Sequence, residues 1–71
     1  MYKLDLEKIK RLRKRKNLTP RQMAKLMGLE ASTYWRKENG ERPFKDYEIS
    51  KLCQILGTKP ANLFKETKEV E

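Results

Sequence analysis

The segment TPRQMAKLMGLEASTYWRKENG, Thr19 to Gly40, contains both ends of two consecutive short helices. Thr19 is a good N-cap, because its hydroxyl can accept a hydrogen bond from a first-turn amide. Pro20 suits the first helical position, where its missing N–H costs nothing. A helix therefore runs from Pro20 to Met27. Gly28 supplies the positive φ of a C-terminal turn, and Leu29 is the hydrophobe that pins this turn to a core. A further helix begins at Glu30 or Ala31 and runs through Glu38, with Asn39 and Gly40 ending it. Two helices joined by so short a turn cross steeply, so the contact point on the first needs a small side chain; Ala24 provides one. Tyr34 is the core residue of the second helix, above Met23, Met27 and Leu29. Alanine and glycine at this separation are weak signals individually, but with caps at both ends they define a helix-turn-helix over about residues 20–39.

The flanks extend an all-α pattern to five short helices. Leu6, Ile9 and Leu12 recur at helical spacing in a charged segment, giving a first helix from about Asp5 to Lys16 with a narrow buried stripe, ended by Asn17. After the connecting loop ERPF, the residues Ile49, Leu52, Cys53 and Leu56 mark a helix from about Lys45 to Leu56, closed by Gly57. TKPANLF then repeats the cap-and-proline logic, predicting a short fifth helix that carries Leu63 and Phe64 back onto the core. The expected organisation is one domain over residues 1–64 and a flexible charged tail over 65–71.

A chain of 71 residues at this scale buries only about 60% of the surface its unfolded form exposes, so its core is thin. No apolar run approaches the roughly 20 residues of a membrane span, and the N-terminus lacks the uncharged apolar block of a signal peptide. The expected location is the cytoplasm of a bacterial cell. There is no histidine and one cysteine, which leaves neither a zinc ligand set nor a nucleophile and base pair. Cys53 reads as a small buried hydrophobe. No enzyme, cofactor, metal or small-molecule substrate is expected. Charge points elsewhere: 18 Lys and Arg against 10 Asp and Glu leave a net charge of +8, which makes nucleic acid the first partner to consider. KIKRLRKRK, Lys8 to Lys16, concentrates that charge, and becomes functional only if it lies near a docking surface.

With these elements laid out, residues 9–64 resemble the lambda repressor and Cro-like helix-turn-helix family. The resemblance implies five helices packed as one domain, with the third entering the DNA major groove. It also implies a structural ion pair between Arg13, late in the first helix, and Glu38, ending the third. Carried over position by position, it assigns base-edge contacts to Ala31, Ser32 and Arg36, with Trp35 on their flank. Phosphate contacts fall on Pro20, Arg21, Thr33, Asn39 and Arg42.

Several residues depart from the family pattern. Pro20 stands where glutamine is usual, removing a side-chain amide and a backbone N–H that could hold a phosphate. Glu30 replaces the usual Ser or Thr cap; its carboxylate favours the helix N-terminus but repels phosphate, each effect being about 1 kcal/mol. Ala31 offers only a thymine-methyl contact, leaving Arg36 as the one side chain suited to bidentate base reading. Glu41 stands where lysine is frequent, and Lys37 where an aromatic or aliphatic residue is usual. Trp35 has two readings. Its indole either substitutes for the hydrophobe missing at Lys37 and packs on the loop, or stays exposed at the centre of a protein contact, or against a thymine methyl or a sugar edge.

Two functions follow. One is a transcriptional regulator similar to a temperate-phage Cro protein, occupying operator half-sites on double-stranded DNA as a homodimer or with a partner. The other is a modulator, antirepressor or corepressor, whose Glu30, Ala31, Trp35 and Arg36 surface binds a partner repressor protein. An antitoxin of the same fold is a third reading.

Overall fold

The computed structural model describes residues 2–67. Along the chain run β1 (Tyr2–Leu4), α1 (Leu6–Arg15), α2 (Pro20–Met27), α3 (Ala31–Glu38), α4 (Asp46–Leu56), a single 3-10 turn (Pro60–Leu63) and β2 (Phe64–Glu66). Local chemistry accounts for both ends of α2. The Thr19 hydroxyl accepts from the Gln22 amide at 3.1 Å, and the Gln22 side chain accepts in return from the Thr19 amide at 2.9 Å, a reciprocal box that satisfies two otherwise orphaned donors. At the other end Gly28 has φ 73°. Its amide donates to the Lys25 carbonyl, and that of Leu29 to Ala24, the double closure that a left-handed residue permits. The other three helices close with the same six-residue reach: Leu18 to Arg13, Glu41 to Arg36, and Thr58 to Cys53. Asn17, at φ 58°, takes the left-handed position after α1, as its short polar side chain allows.

The core comprises Ile9 from α1, Met23, Ala24 and Met27 from α2, Tyr34 from α3, Phe44 from the loop, Leu52, Cys53 and Leu56 from α4, and Leu63 from the 3-10 turn. Ala24 is 1% exposed and lets α2 and α3 approach closely. Tyr34 is fully buried, its ring edge-on to Phe44 at a centroid distance of 6.0 Å. Leu26, the remaining apolar residue of α2, is exposed. Burial raises the Cys53 thiol above its ordinary pKa, and the residue is a free thiol inside the core.

Among the described residues there are four α-helices rather than five, together with a small sheet. The predicted fifth helix is the 3-10 turn alone, because the Leu63 carbonyl accepts from the Asp5 amide at 2.6 Å and the chain then extends. Phe64 pairs with Leu4, Lys65 with Lys3 and Glu66 with Tyr2, antiparallel. A free helix this short is marginal, so a partner strand across the chain prevails. Leu63 reaches the core as expected, but Phe64 is 37% exposed. The predicted tail therefore begins with strand residues Lys65 and Glu66; residues 68–71 of it lie outside the described residues.

Candidate nucleic-acid interface

Three side chains of α3 face inward, and two of these carry charge. Glu38 accepts from Arg13 Nε at 2.9 Å and from the second guanidinium arm at 3.1 Å, while the Tyr34 hydroxyl donates to the same carboxylate at 2.5 Å. A further arm of Arg13 donates to the Leu18 carbonyl at 2.8 Å. Arg13 and Glu38 are buried, so each guanidinium nitrogen of this forked pair finds an acceptor where water cannot serve. Burial, and then the hydrogen bond to Glu38, push the Tyr34 hydroxyl well above its ordinary pKa; it remains a neutral donor.

Lys37, next to Glu38 in the chain, makes a second buried pair with α4. Its ammonium donates to both oxygens of Glu48, at 2.6 and 2.7 Å, and the Lys45 amide donates to one of them at 2.8 Å. Burial alone would raise the Glu48 carboxyl, but the bonds from Lys37 and from the Lys45 amide outweigh it and hold the group below the ordinary range. Lys37 thus fills its hydrophobic-type position itself, with its stem packed and its charge compensated. This overturns the reading in which Trp35 substitutes for it: the indole is 52% exposed. The pair went unread in the sequence, although Lys45 and Glu48 have the spacing at which a glutamate bonds back to the residue preceding a helix.

The outward face of α3 is a stripe of Ser32, Trp35, Arg36 and Asn39, all exposed, at the spacing of successive helical turns. Among the described residues no hydrogen bond or ion pair engages the side chains of Ser32, Trp35 or Arg36. Asn39 differs: its amide donates to the Trp35 carbonyl at 2.7 Å, and its oxygen accepts from Lys10 at 3.4 Å. The contact brings α1, and with it the basic segment, against the C-terminal end of α3. Ala31 is half-buried and packs against the core. Glu30 is the N-cap residue but makes no capping bond, leaving the first-turn amides of α3 without one.

Thr33 faces sideways. With Leu29, Arg42, Pro43, Lys45 and Tyr47 it walls a groove of about 370 Å³, floored by Lys37 and Glu48. Two residues with expected phosphate contacts, Thr33 and Arg42, therefore meet in one place, joined by Lys45, which the sequence reading missed. Lys45 lies over the Tyr47 ring at 5.9 Å. Since Lys37 and Glu48 neutralise each other, Arg42 and Lys45 set the sign of the groove. Arg21 and Pro20 stand apart from it, on the first turn of α2.

The family model described as a helix-turn-helix domain matches residues 7–64. The chain belongs to this family. The type is Cro-like, and the helix-turn-helix comprises α2, the Gly28 turn and α3. A search among curated proteins finds no match. Among the described residues of this helix-turn-helix protein, no helix is long and apolar enough to cross a membrane.

Proposed function

We propose that the protein is a DNA-binding transcriptional regulator of the Cro and repressor class, which lays α3 in the major groove of an operator half-site. The observation that carries this reading is the asymmetry of α3: its inward face is held by two buried ion pairs, while its outward face presents Ser32, Trp35 and Arg36 without side-chain partners among the described residues. A rigid helix with an unsatisfied guanidinium at its centre is suited to guanine, whose N7 and O6 accept both arms. Arg42, Lys45 and Thr33 flank it where backbone phosphates pass, with Arg21 on α2. Two such surfaces in a homodimer read a palindrome. The protein acts without cofactor, metal or catalytic step.

Selection of binding sites from a random duplex library tests this, followed by titration of the enriched site at about 50 and 200 mM salt. For four neutralised phosphates affinity falls about a hundredfold between these salts. Failure to enrich any sequence sinks the proposal.

The exposed Trp35 supports a second reading, in which the same face, with Glu30, docks onto a partner repressor protein. An exposed tryptophan is the residue type that dominates protein contacts, and its truncation there costs about 2 kcal/mol or more. Association of that kind responds weakly to salt, so the same two-salt titration against the candidate repressor separates the readings.

A further inference from the structure

We infer that Lys37 and Glu48 are positioning residues for the DNA backbone contact: their buried pair fixes the connection between α3 and α4, and so determines where Arg42 and Lys45 meet phosphates. The inference rests on the DNA-binding reading. The two residues stand at the two ends of the connection, and the side-chain pair ties those ends together. At its start the Gly40 amide donates to the Lys37 carbonyl at 3.2 Å, and at its end the Lys45 amide donates to Glu48 at 2.8 Å. The Lys37 ammonium closes the circuit on both Glu48 oxygens. Between these points Phe44 is sunk into the core, leaving Arg42 on a short span pinned at either side.

Neither member of the pair touches a ligand directly, since both are buried. Nor is stability a sufficient reason for the pair, because well-packed apolar residues of similar volume often serve as well or better. What an apolar pair cannot reproduce is the directional bond to the Lys45 amide, which sets the start of α4 and the side of the groove from which Lys45 and Arg42 project.

The double variant Lys37→Met/Glu48→Leu is the test, because it leaves net charge unchanged and keeps the position filled. Any altered salt response then comes from phosphate ligands displaced rather than charge removed. Helical content and thermal midpoint are expected to remain close to those of the parent, and the Lys45 amide to lose its protection from hydrogen exchange. The plot of log affinity against log salt should become shallower by about 0.9 for each phosphate that is no longer neutralised, equivalent to about fivefold weaker binding at physiological salt. Preference for the enriched site over a scrambled one should persist, since Arg36 is untouched. Lys37→Met/Glu48→Gln, which also leaves net charge unchanged but keeps a carbonyl acceptor for the Lys45 amide, should restore slope and exchange protection towards parental values. A folded Lys37→Met/Glu48→Leu protein with parental exchange, slope and affinity overturns the inference, as does a Lys37→Met/Glu48→Gln protein whose slope falls as much as that of Lys37→Met/Glu48→Leu. If the parent itself selects no DNA, the DNA reading fails by its own test; unchanged Lys45 exchange in Lys37→Met/Glu48→Leu would then refute the loop-fixing role independently.

Discussion

The two faces of α3 are built on opposite rules. Inward, Tyr34, Lys37 and Glu38 are buried polar groups, each with a hydrogen-bond partner, and they reach α1 on one side and α4 on the other. Outward, Ser32, Trp35 and Arg36 are exposed with their bonding capacity unspent. One helix of eight residues thus holds a mostly satisfied network and a mostly available one. Under the proposed function, the contrast means that the inward charges serve geometry while the outward groups are left for a ligand. Substitutions on the two faces should therefore separate cleanly into effects on folding and effects on recognition.

The largest effect is expected at Arg13. Arg13→Ala strands the Glu38 carboxylate in the core, which typically costs about 3–5 kcal/mol, a large share of the roughly 5–10 kcal/mol such a domain holds. Urea denaturation should show a protein largely unfolded at 37 °C. A folded Arg13→Ala protein with altered DNA preference alone would break the proposed division of labour. Tyr34→Phe comes next. It keeps the ring against Phe44 and removes one donor to a charged acceptor, for a loss of about 1.5–3 kcal/mol in the same assay, with base preference unchanged.

The pair on the α4 side adds a pH dependence. Glu48 is held below its ordinary value in the folded protein, so its contribution is fully present above the unfolded carboxylate value of about 4.3. That contribution is lost as pH falls through the lower folded value. Urea midpoints followed from pH 6 to pH 2 should fall further in the parent than in Lys37→Met/Glu48→Leu, so that the two curves, close at pH 6, separate in acid. Parallel curves would show that the Lys37 bonds do not hold this carboxylate.

The difference between the faces also marks how far the sequence could be read. Caps and turns are local, so Thr19 and Pro20 announced the start of α2, and Asn17, Gly28, Gly40 and Gly57 the ends of the four helices. Tyr34 and the α2 core positions followed from periodicity. The two strands were not legible, because each is three residues long and acquires meaning only through a partner at the far end of the chain. The Lys37–Glu48 pair was missed for a related reason: a lysine at a core-type position reads as a defect until the glutamate opposite it is known. Conversely, the Arg13–Glu38 pairing came from family resemblance, since nothing local links the two positions. On the outward face, exposure follows from helical phase, but Asn39 could not be known to spend an amide proton on the Trp35 carbonyl. That bond draws on the side chain to which the resemblance assigns a phosphate contact.

Arg36→Ala should invert the pattern of Arg13→Ala. An exposed arginine without internal partners contributes within about 0.5 kcal/mol to stability, whereas removing a bidentate guanine reader takes away about 1–3 kcal/mol of discrimination at one base pair. The check is a competition titration of single-base variants of the enriched site. Equal losses at every position would identify Arg36 as a phosphate ligand instead.

The smallest expected effect lies where the two faces meet. Glu30 sits at the N-cap of α3 without making a capping bond, and its carboxylate stands beside the amides that a phosphate would approach. Glu30→Ser supplies an oxygen of the right reach for a first-turn amide and gives up the carboxylate's attraction to the helix N-terminus, so the thermal midpoint should rise by the equivalent of at most about 0.5 kcal/mol. The same change removes a negative charge from the DNA-facing end of the helix and should tighten operator binding by several-fold at low salt, with the gain shrinking as salt rises. If instead the face is built for a protein, Glu30 is one of its contacts, and Glu30→Ser weakens that association even as it stabilises the fold. Stability rises in either case, so the sign of the binding change alone tells which ligand the outward face serves.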